Sequence, residues 1–378
     1  MASCRPLARD SETRASALDL ERYFSSSYAQ ARERFRALAE QAGASMASFE
    51  HPRRGREGEV LATDVARLGP ANAKRALVVT SATHGVEGLC GSGIQCSLLA
   101  SDFASELPPG VALVLVHALN PFGFSWLRRT NEDNVDLNRN GRDFGQALEP
   151  NPVYEEVHDL LVPTDWNGPH HAAHEAKIEA YKRERGERAW QAAVTGGQHT
   201  HPDGLFYGGR EATWSNRTIR ALCRDHLAEF EQVGVLDLHT GLGPRGHGEL
   251  IYARQPGDAE HGRLVAWLGD DVTSVADGSS ASAPVIGTID ALFRAELGDG
   301  RVTFAVIEYG TLPIDDVLDA LRIDNWVHLH DVVDTELGRE AKRRIVAAFV
   351  GEEDEWRRSV YDRGRSLAGR MAAGLAAL

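Results

Sequence analysis

The sequence predicts an α/β protein of three layers, α/β/α, with a mixed and mostly parallel central sheet. Three observations point there. Apolar, β-branched runs at 76–80, 111–117 and 233–239 read as strands covered on both faces, as strands of a parallel sheet are. Segments of helical periodicity lie between strands, and that alternation builds layered α/β folds. Polar residues of unusual type stand where strands end, which is where such sheets place function.

In chain order, residues 18–42 form a helix with Tyr28, Ala31, Phe35 and Leu38 on one side. Extended segments follow around 58–65, then the strand Ala76-Leu-Val-Val-Thr80. This strand ends in Ser81-Ala-Thr-His-Gly-Val-Glu-Gly88, and a helix of small residues spans 89–99. Strand 111–117 leads into the loop 118–124. Residues 141–215 are polar and rich in Pro, Gly and His, with helical stretches near 152–161 and 171–193, and read as an insertion packed on the core. A helix near 215–230 precedes strand 233–239. Further strands are expected near 249–253 and 302–308, with a helix near 259–268 between them. Residues 336–350 and 353–376 read as amphipathic helices able to cover a sheet. No internal repeat is evident, so the chain 1–378 reads as one domain carrying the insertion and a C-terminal helical segment, 336–376.

Composition narrows the function. Hydrophobic residues make up 42% of the 378 and charged residues 25%, the ordinary mix of a globular protein. The net charge of −14 argues against partners built of nucleic acid or anionic membrane, since both need a basic face. The N-terminal residues lack the apolar core of a secretion signal, and no stretch approaches the roughly 20 apolar residues that cross a bilayer. Cys4, Cys90, Cys96 and Cys223 have no paired spacing, which suits buried thiols in a reducing cytoplasm.

Three strand ends carry the candidate chemistry: His84 with Glu87, His239, and Glu308. A catalytic zinc takes three imidazole or carboxylate ligands and leaves a fourth position for water. His84 and Glu87, on a tight loop containing glycine, can aim at one point. His239 can supply the third ligand to a single zinc ion, leaving Glu308 free as general base. Each piece alone is more often a loop or capping residue; the combination changes the odds.

The order of motifs adds specificity. His84-x-x-Glu87 is followed by Asn120-Pro-x-Gly-Phe124 with Trp126, Arg128 and Arg129, then Val135-Asp-Leu-Asn-Arg-Asn140, Asp237-Leu-His239 and Ile307-Glu308. This succession resembles the zinc carboxypeptidase (funnelin) superfamily over roughly residues 74–310. The N-terminal helix and Gly204-Leu-Phe-Tyr-Gly-Gly209 look like a bacterial branch related to the succinylglutamate desuccinylase/aspartoacylase type. The resemblance implies a carboxypeptidase-like fold, zinc on His84, Glu87 and His239, and Glu308 as general base and acid. It further implies that Asn138 and Arg139 grip a substrate carboxylate and that Asp136 orients the first histidine. By the same resemblance Arg128 polarises the scissile carbonyl, with Arg129 as the alternative register. The chemistry is consistent: a guanidinium grips a carboxylate in a planar fork, and an arginine beside the metal stabilises an oxyanion.

The implied activity is hydrolysis of an amide next to a free carboxylate, with a small peptide as substrate. The family's mobile tyrosine has no counterpart between Tyr252 and Glu308, which raises the rival reading of an N-acyl amino-acid deacylase with the same mechanism. Tyr207, Tyr252 or Tyr309 could stand in spatially. A silent binding protein on this scaffold is the reading from another class, and Glu308 speaks against it. In the glycine-rich segment 241–248, Arg245 or His247 could read an anionic group of the substrate. His170, His171, His174, His199 and His201 read as a solvated or intersubunit face, which keeps a homo-oligomer open, or less readily as a second metal site. Asp237 points the same way as His239 and reads as its support or as a solvated strand end.

Overall fold

The computed structural model describes residues 20–148, 150–168 and 170–378; Cys4 and the start of the predicted 18–42 helix lie outside them. Among the described residues eight strands occur: β1 (Ser45–Arg54), β2 (Val60–Leu68), β3 (Arg75–Thr80), β4 (Val111–His117), β5 (Gln232–Arg245), β6 (Gly248–Tyr252), β7 (Val272–Ser274) and β8 (Val302–Gly310). They build one sheet in the order β1-β2-β4-β3-β5-β8-β6-β7. The central pairings β4–β3–β5–β8 are parallel, as is β6–β7, and the other three are antiparallel.

The helices are α1 (Tyr28–Gln41), α2 (Gly88–Ala100), α3 (Pro121–Ser125), α4 (Leu137–Asn140), α5 (Pro152–Leu161), α6 (His171–Arg185) and α7 (Glu187–Thr195). They continue as α8 (Trp214–Leu222), α9 (Ala259–Leu268), α10 (Asp290–Leu297), α11 (Ile314–Leu329), α12 (Glu336–Phe349) and α13 (Asp354–Ala376). Alternation along β3 explains the layering. Leu77 and Val79 join a core with Ile94 of α2, Leu264 of α9 and Val360 of α13. Ala76 and Val78 face the opposite way, onto Ile219 of α8 and Phe293 of α10. Both faces of the central sheet are covered, so β3 and β4 are apolar along nearly their whole length rather than alternating with polar residues.

The chain leaves β3 for β4 on one side, while β5 pairs with β3 on the other. That reversal opens a crevice beyond the carboxyl ends of β3 and β5, the usual ligand position of an open α/β sheet. Tyr154, Val157 and Trp190, on α5 and α7 of the segment expected as an insertion, pack on Val317 and Leu321 of α11 and on Phe349. The insertion therefore walls the crevice from one side.

Several elements depart from expectation. The 18–42 helix is a short 3₁₀ turn, Leu20–Tyr23, followed by α1, whose N-cap is Ser27. The stretch 171–193 is two helices, broken at Gly186, whose positive φ of 90° ends α6. The helix near 215–230 ends as α8 and runs on as a π turn, Cys223–Leu227. The strand expected at 233–239 continues to Arg245, with a register shift against β8 between Thr240 and Arg245. β1, β7, α10 and α11 have no counterpart among the expected elements. Cys90, Cys96 and Cys223 are buried free thiols. No helix of the described residues is long and apolar enough to cross a membrane.

Candidate active site

The crevice brings three side chains to one point. Nδ1 of His84 lies 2.8 Å from Oε1 of Glu87, Nδ1 of His239 lies 2.9 Å from Oε2 of Glu87, and the two Nδ1 atoms are 3.2 Å apart. All three residues are buried. His84 caps a single 3₁₀ turn, Gly85–Glu87, whose last residue is Glu87 and which leads directly into α2. The turn is stapled to the next loop by Gly85 N–H to the Arg129 carbonyl and Val86 N–H to the Arg128 carbonyl. Gly85 is required there, because a Cβ would stand 2.0 Å from the Gly123 carbonyl carbon.

The other nitrogen of each ring is held from behind. His84 Nε2 meets Oδ1 of Asp136 at 3.2 Å, and His239 Nε2 meets Oδ2 of Asp237 at 2.6 Å. Asp237 is itself fixed by the hydroxyls of Thr80 (2.6 Å) and Thr83 (2.9 Å), both donating to Oδ1. A carboxylate on Nε2 keeps the proton there and leaves the Nδ1 lone pair free for a cation. Burial opposes charge on this group, but His84 and His239 hold the Glu87 carboxyl well below its usual range, and Asp237 and Glu87 hold the His239 imidazole well above its own. Both shifts come from the two imidazoles and the carboxylates being packed against one another. A tetrahedral zinc with bonds of about 2.0–2.1 Å separates its ligand atoms by roughly 3.3 Å. The observed spacing fits such an ion after a small opening.

Glu308, at the end of β8, stands level with His239 on the neighbouring parallel strand. Its Oε1 accepts the backbone N–H of Leu242 at 3.2 Å, where the glycine-rich stretch bulges out of β5. Burial and the nearby Glu87 push its carboxyl up to about 8. It is separate from the three converging groups yet opens on the same cleft.

Asn138, Arg139 and Arg129 also line that cleft. Arg129 donates from Nε to Oδ2 of Asp136 at 2.9 Å, with one terminal nitrogen 3.6 Å from Glu87. Arg139 is 4% exposed and donates to the backbone carbonyls of Thr195 and Asn138. Among the described residues no carboxylate lies within ion-pair distance of it. Both guanidiniums sit over the ring of Phe206, at 4.9 and 5.3 Å. Asn138 accepts the backbone N–H of Ile289, which ties α4 to the loop before α10.

A family model described as "Protein of unknown function (DUF2817)" matches residues 24–363. The chain belongs to the DUF2817 family. No curated protein matches it. The solved structure of thrombin activatable fibrinolysis inhibitor aligns with this DUF2817 member at 10% identity over 93% of its length and 74% of that chain, TM-score 0.50, which shows a shared fold. Carboxypeptidase A from Helicoverpa armigera aligns at 14% identity over 85% and 73%, TM-score 0.45. An aspartoacylase family protein from Mesorhizobium loti aligns at 16% over 75% and 67%, TM-score 0.37.

Two expected site residues lie elsewhere in this DUF2817 chain. Arg128 is buried behind the cleft, bonded to Asn134 Oδ1 at 2.8 Å and 3.9 Å from Asp324. Consecutive side chains leave the loop in opposite directions, and Arg129 rather than Arg128 lines the cleft. Arg245 is carried away by the continuation of β5 and pairs with Glu353 and the Thr311 carbonyl outside the cleft. His247 is exposed there too. None of the three tyrosines lines the cleft. Tyr252 is bonded to Asp258, Tyr309 lies in the core under the sheet, and Tyr207 is buried beside its carbonyl's bond to Asp136 N–H. The histidine-rich region brings together His158, His201 and Asp203 rather than His171 and His174, and His201 is paired with Glu155 at 2.7 Å.

Sequence reasoning passed over Phe206, and left Asp237 between support and solvent. Asp237 had a signal, since a residue two before a strand-end histidine shares its face. Phe206 had little, because only the fold brings residues 204–209 under 134–140.

Proposed function

We propose that this chain is a zinc-dependent hydrolase that cleaves an amide bond next to a free carboxylate, in a small peptide or an N-acyl amino acid. The observation that carries the reading is the pair of imidazoles and one carboxylate converging with both distal nitrogens backed by aspartates, while Glu308 stays uncoordinated beside them. Zinc bound by His84, Glu87 and His239 would supply a Lewis acid and lower the pKa of a water at its open position to about 7.

The chain's own residues do the rest. Glu308, its pKa raised toward neutral where acid–base transfer is most effective, would take a proton from the attacking water and return it to the leaving nitrogen, work typically worth about 10²–10⁴-fold in rate. Arg129, held by Asp136 and Phe206, directs donors at the oxygen on which negative charge develops. Arg139 and the Asn138 amide hold the substrate carboxylate, and a buried cation without a carboxylate partner is what such a grip needs. Among the described residues no tyrosine lines the cleft, which favours, as second reading, a deacylase acting on N-acyl amino acids by the same steps.

Metal analysis of the purified protein tests the reading together with hydrolysis of dipeptides and N-acyl amino acids. Stoichiometric zinc, lost in His239→Ala, and amide hydrolysis lost in Glu308→Gln are expected. Zinc retained in His239→Ala would overturn it.

A further inference from the structure

The walls of the cleft say more about the substrate than the metal group does. Six ionisable side chains line it among the described residues: His84, Glu87, His239, Glu308, Arg129 and Arg139. Three of these converge as metal donors and one is the base. Arg129 is already paired with Asp136. Arg139 alone among these has no carboxylate within ion-pair distance among the described residues, so the cleft has one unpaired charge to offer, and it is positive.

Everything else in the walls is uncharged, and most of it is apolar. On the sheet side, Val306 stands two residues before Glu308 on β8 and pairs with Ile251 of β6, with Val275 and Val285 beside them. Val285 belongs to the loop whose Ile289 N–H is bound by Asn138, so this wall adjoins the carboxylate grip. Across the cleft, Ile314, Val317, Leu318 and Leu321 form an i, i+3, i+4, i+7 stripe on one face of α11. Phe349 and Leu242 continue that surface.

We infer that, within the hydrolase reading proposed above, the substrate is a monocarboxylate: an aliphatic or aromatic amino acid, carrying its carboxylate to Arg139, joined through its nitrogen to an apolar acyl or peptidyl group. A second charge on either side of the scissile amide enters a wall with no partner for it. Burying an unpaired charge costs far more than one lost apolar contact. The cleft therefore discriminates against dicarboxylates, such as N-acyl aspartate or N-succinyl glutamate, and against N-acyl lysine or arginine. Selection against the charged substrates is expected to be on the order of 100-fold or more in kcat/KM.

The test uses the full-length, zinc-loaded protein and a panel sharing one N-acetyl group: leucine, phenylalanine, aspartate, glutamate, lysine and arginine, with N-succinyl glutamate added. Hydrolysis is measured for each, and binding of each is measured calorimetrically on Glu308→Gln. Leucine and phenylalanine conjugates should lead in both readouts. Val285→Lys, on the loop rather than in the sheet, should raise the aspartate and glutamate conjugates at least tenfold relative to leucine. Preferential binding of the apolar conjugates without any hydrolysis would overturn the hydrolase reading and keep the inference about the walls. Charged conjugates equalling the apolar ones in both readouts would overturn the walls and keep the hydrolase. No binding by any member would overturn both.

Discussion

Removing Asp237 separates a positioning carboxylate from a solvated one. Its Oδ2 is 2.6 Å from His239 Nε2, and its Oδ1 accepts from two buried threonine hydroxyls. Asp237→Asn keeps the shape: the amide oxygen can still accept from His239, and the NH₂ can donate to Thr80 and Thr83. Only the charge is lost, so zinc affinity should fall about 10-fold, the low end for such a partner. Asp237→Ala loses charge and acceptor together, and the ring is free to turn or to adopt the other tautomer. A fall of about 100-fold, near 2.7 kcal/mol, is expected. The same variant leaves two buried hydroxyls without their acceptor, so stability should drop by about 2–4 kcal/mol. Zinc affinity is read by competition with a chromophoric chelator, and circular dichroism with urea unfolding establishes that the protein is folded. If both variants, folded, bind zinc as tightly as the parent, Asp237 does not act through His239 and the account of the metal group is wrong.

Three further outcomes follow from the geometry. Glu308→Gln should retain zinc and substrate binding while amide turnover falls at least 100-fold, and measuring metal content beside kcat separates base from ligand. Arg129→Ala should lower kcat about 10²–10³-fold, whereas Arg128→Ala should leave kcat within a few-fold and lower the midpoint of thermal unfolding; the reverse pattern would restore the other register. His117 lies buried between Ser92 and Phe35, and burial pushes its pKa down to about 4. The folded state keeps it neutral while the unfolded chain takes up a proton near pH 6.5, so its contribution is complete above pH 6.5 and is lost as pH falls toward 4. Urea unfolding of the parent and His117→Gln should show their stability difference shifting by about 3 kcal/mol across that window.

The strands that lead to the candidate metal donors were legible because each is a largely apolar run followed by polar residues that a core strand has no other reason to hold. β1 was not, since SMASFEHPRR is a half-exposed edge strand with a proline and no clean alternation. The continuation of β5 was hidden by Gly241, Gly243 and Pro244, which read as a loop and form a bulge. α11 did leave a signal, in acidic Asp315 and Asp316 at its start and apolar residues at helical spacing, and a periodicity count over 314–329 finds it. The choice between Arg128 and Arg129 could not be made from sequence, because it depends on which way one side chain leaves a loop.

The lateral spacing of a β-sheet, about 4.8 Å, sets how far Glu308 stands from His239. Because ladder hydrogen bonds join those two strands, opening the cleft cannot stretch the reach between base and ligand. Motion that admits a substrate is left to the parts that join the sheet only at their ends: the loop around Val285, clipped to α7 through Gln191 and the Ala281 carbonyl, and the helical wall opposite. On the proposed reading, gating and bond cleavage reside in different material, and a substitution that loosens the loop or the helical wall should alter how fast substrate enters without disturbing the distance over which the proton would travel.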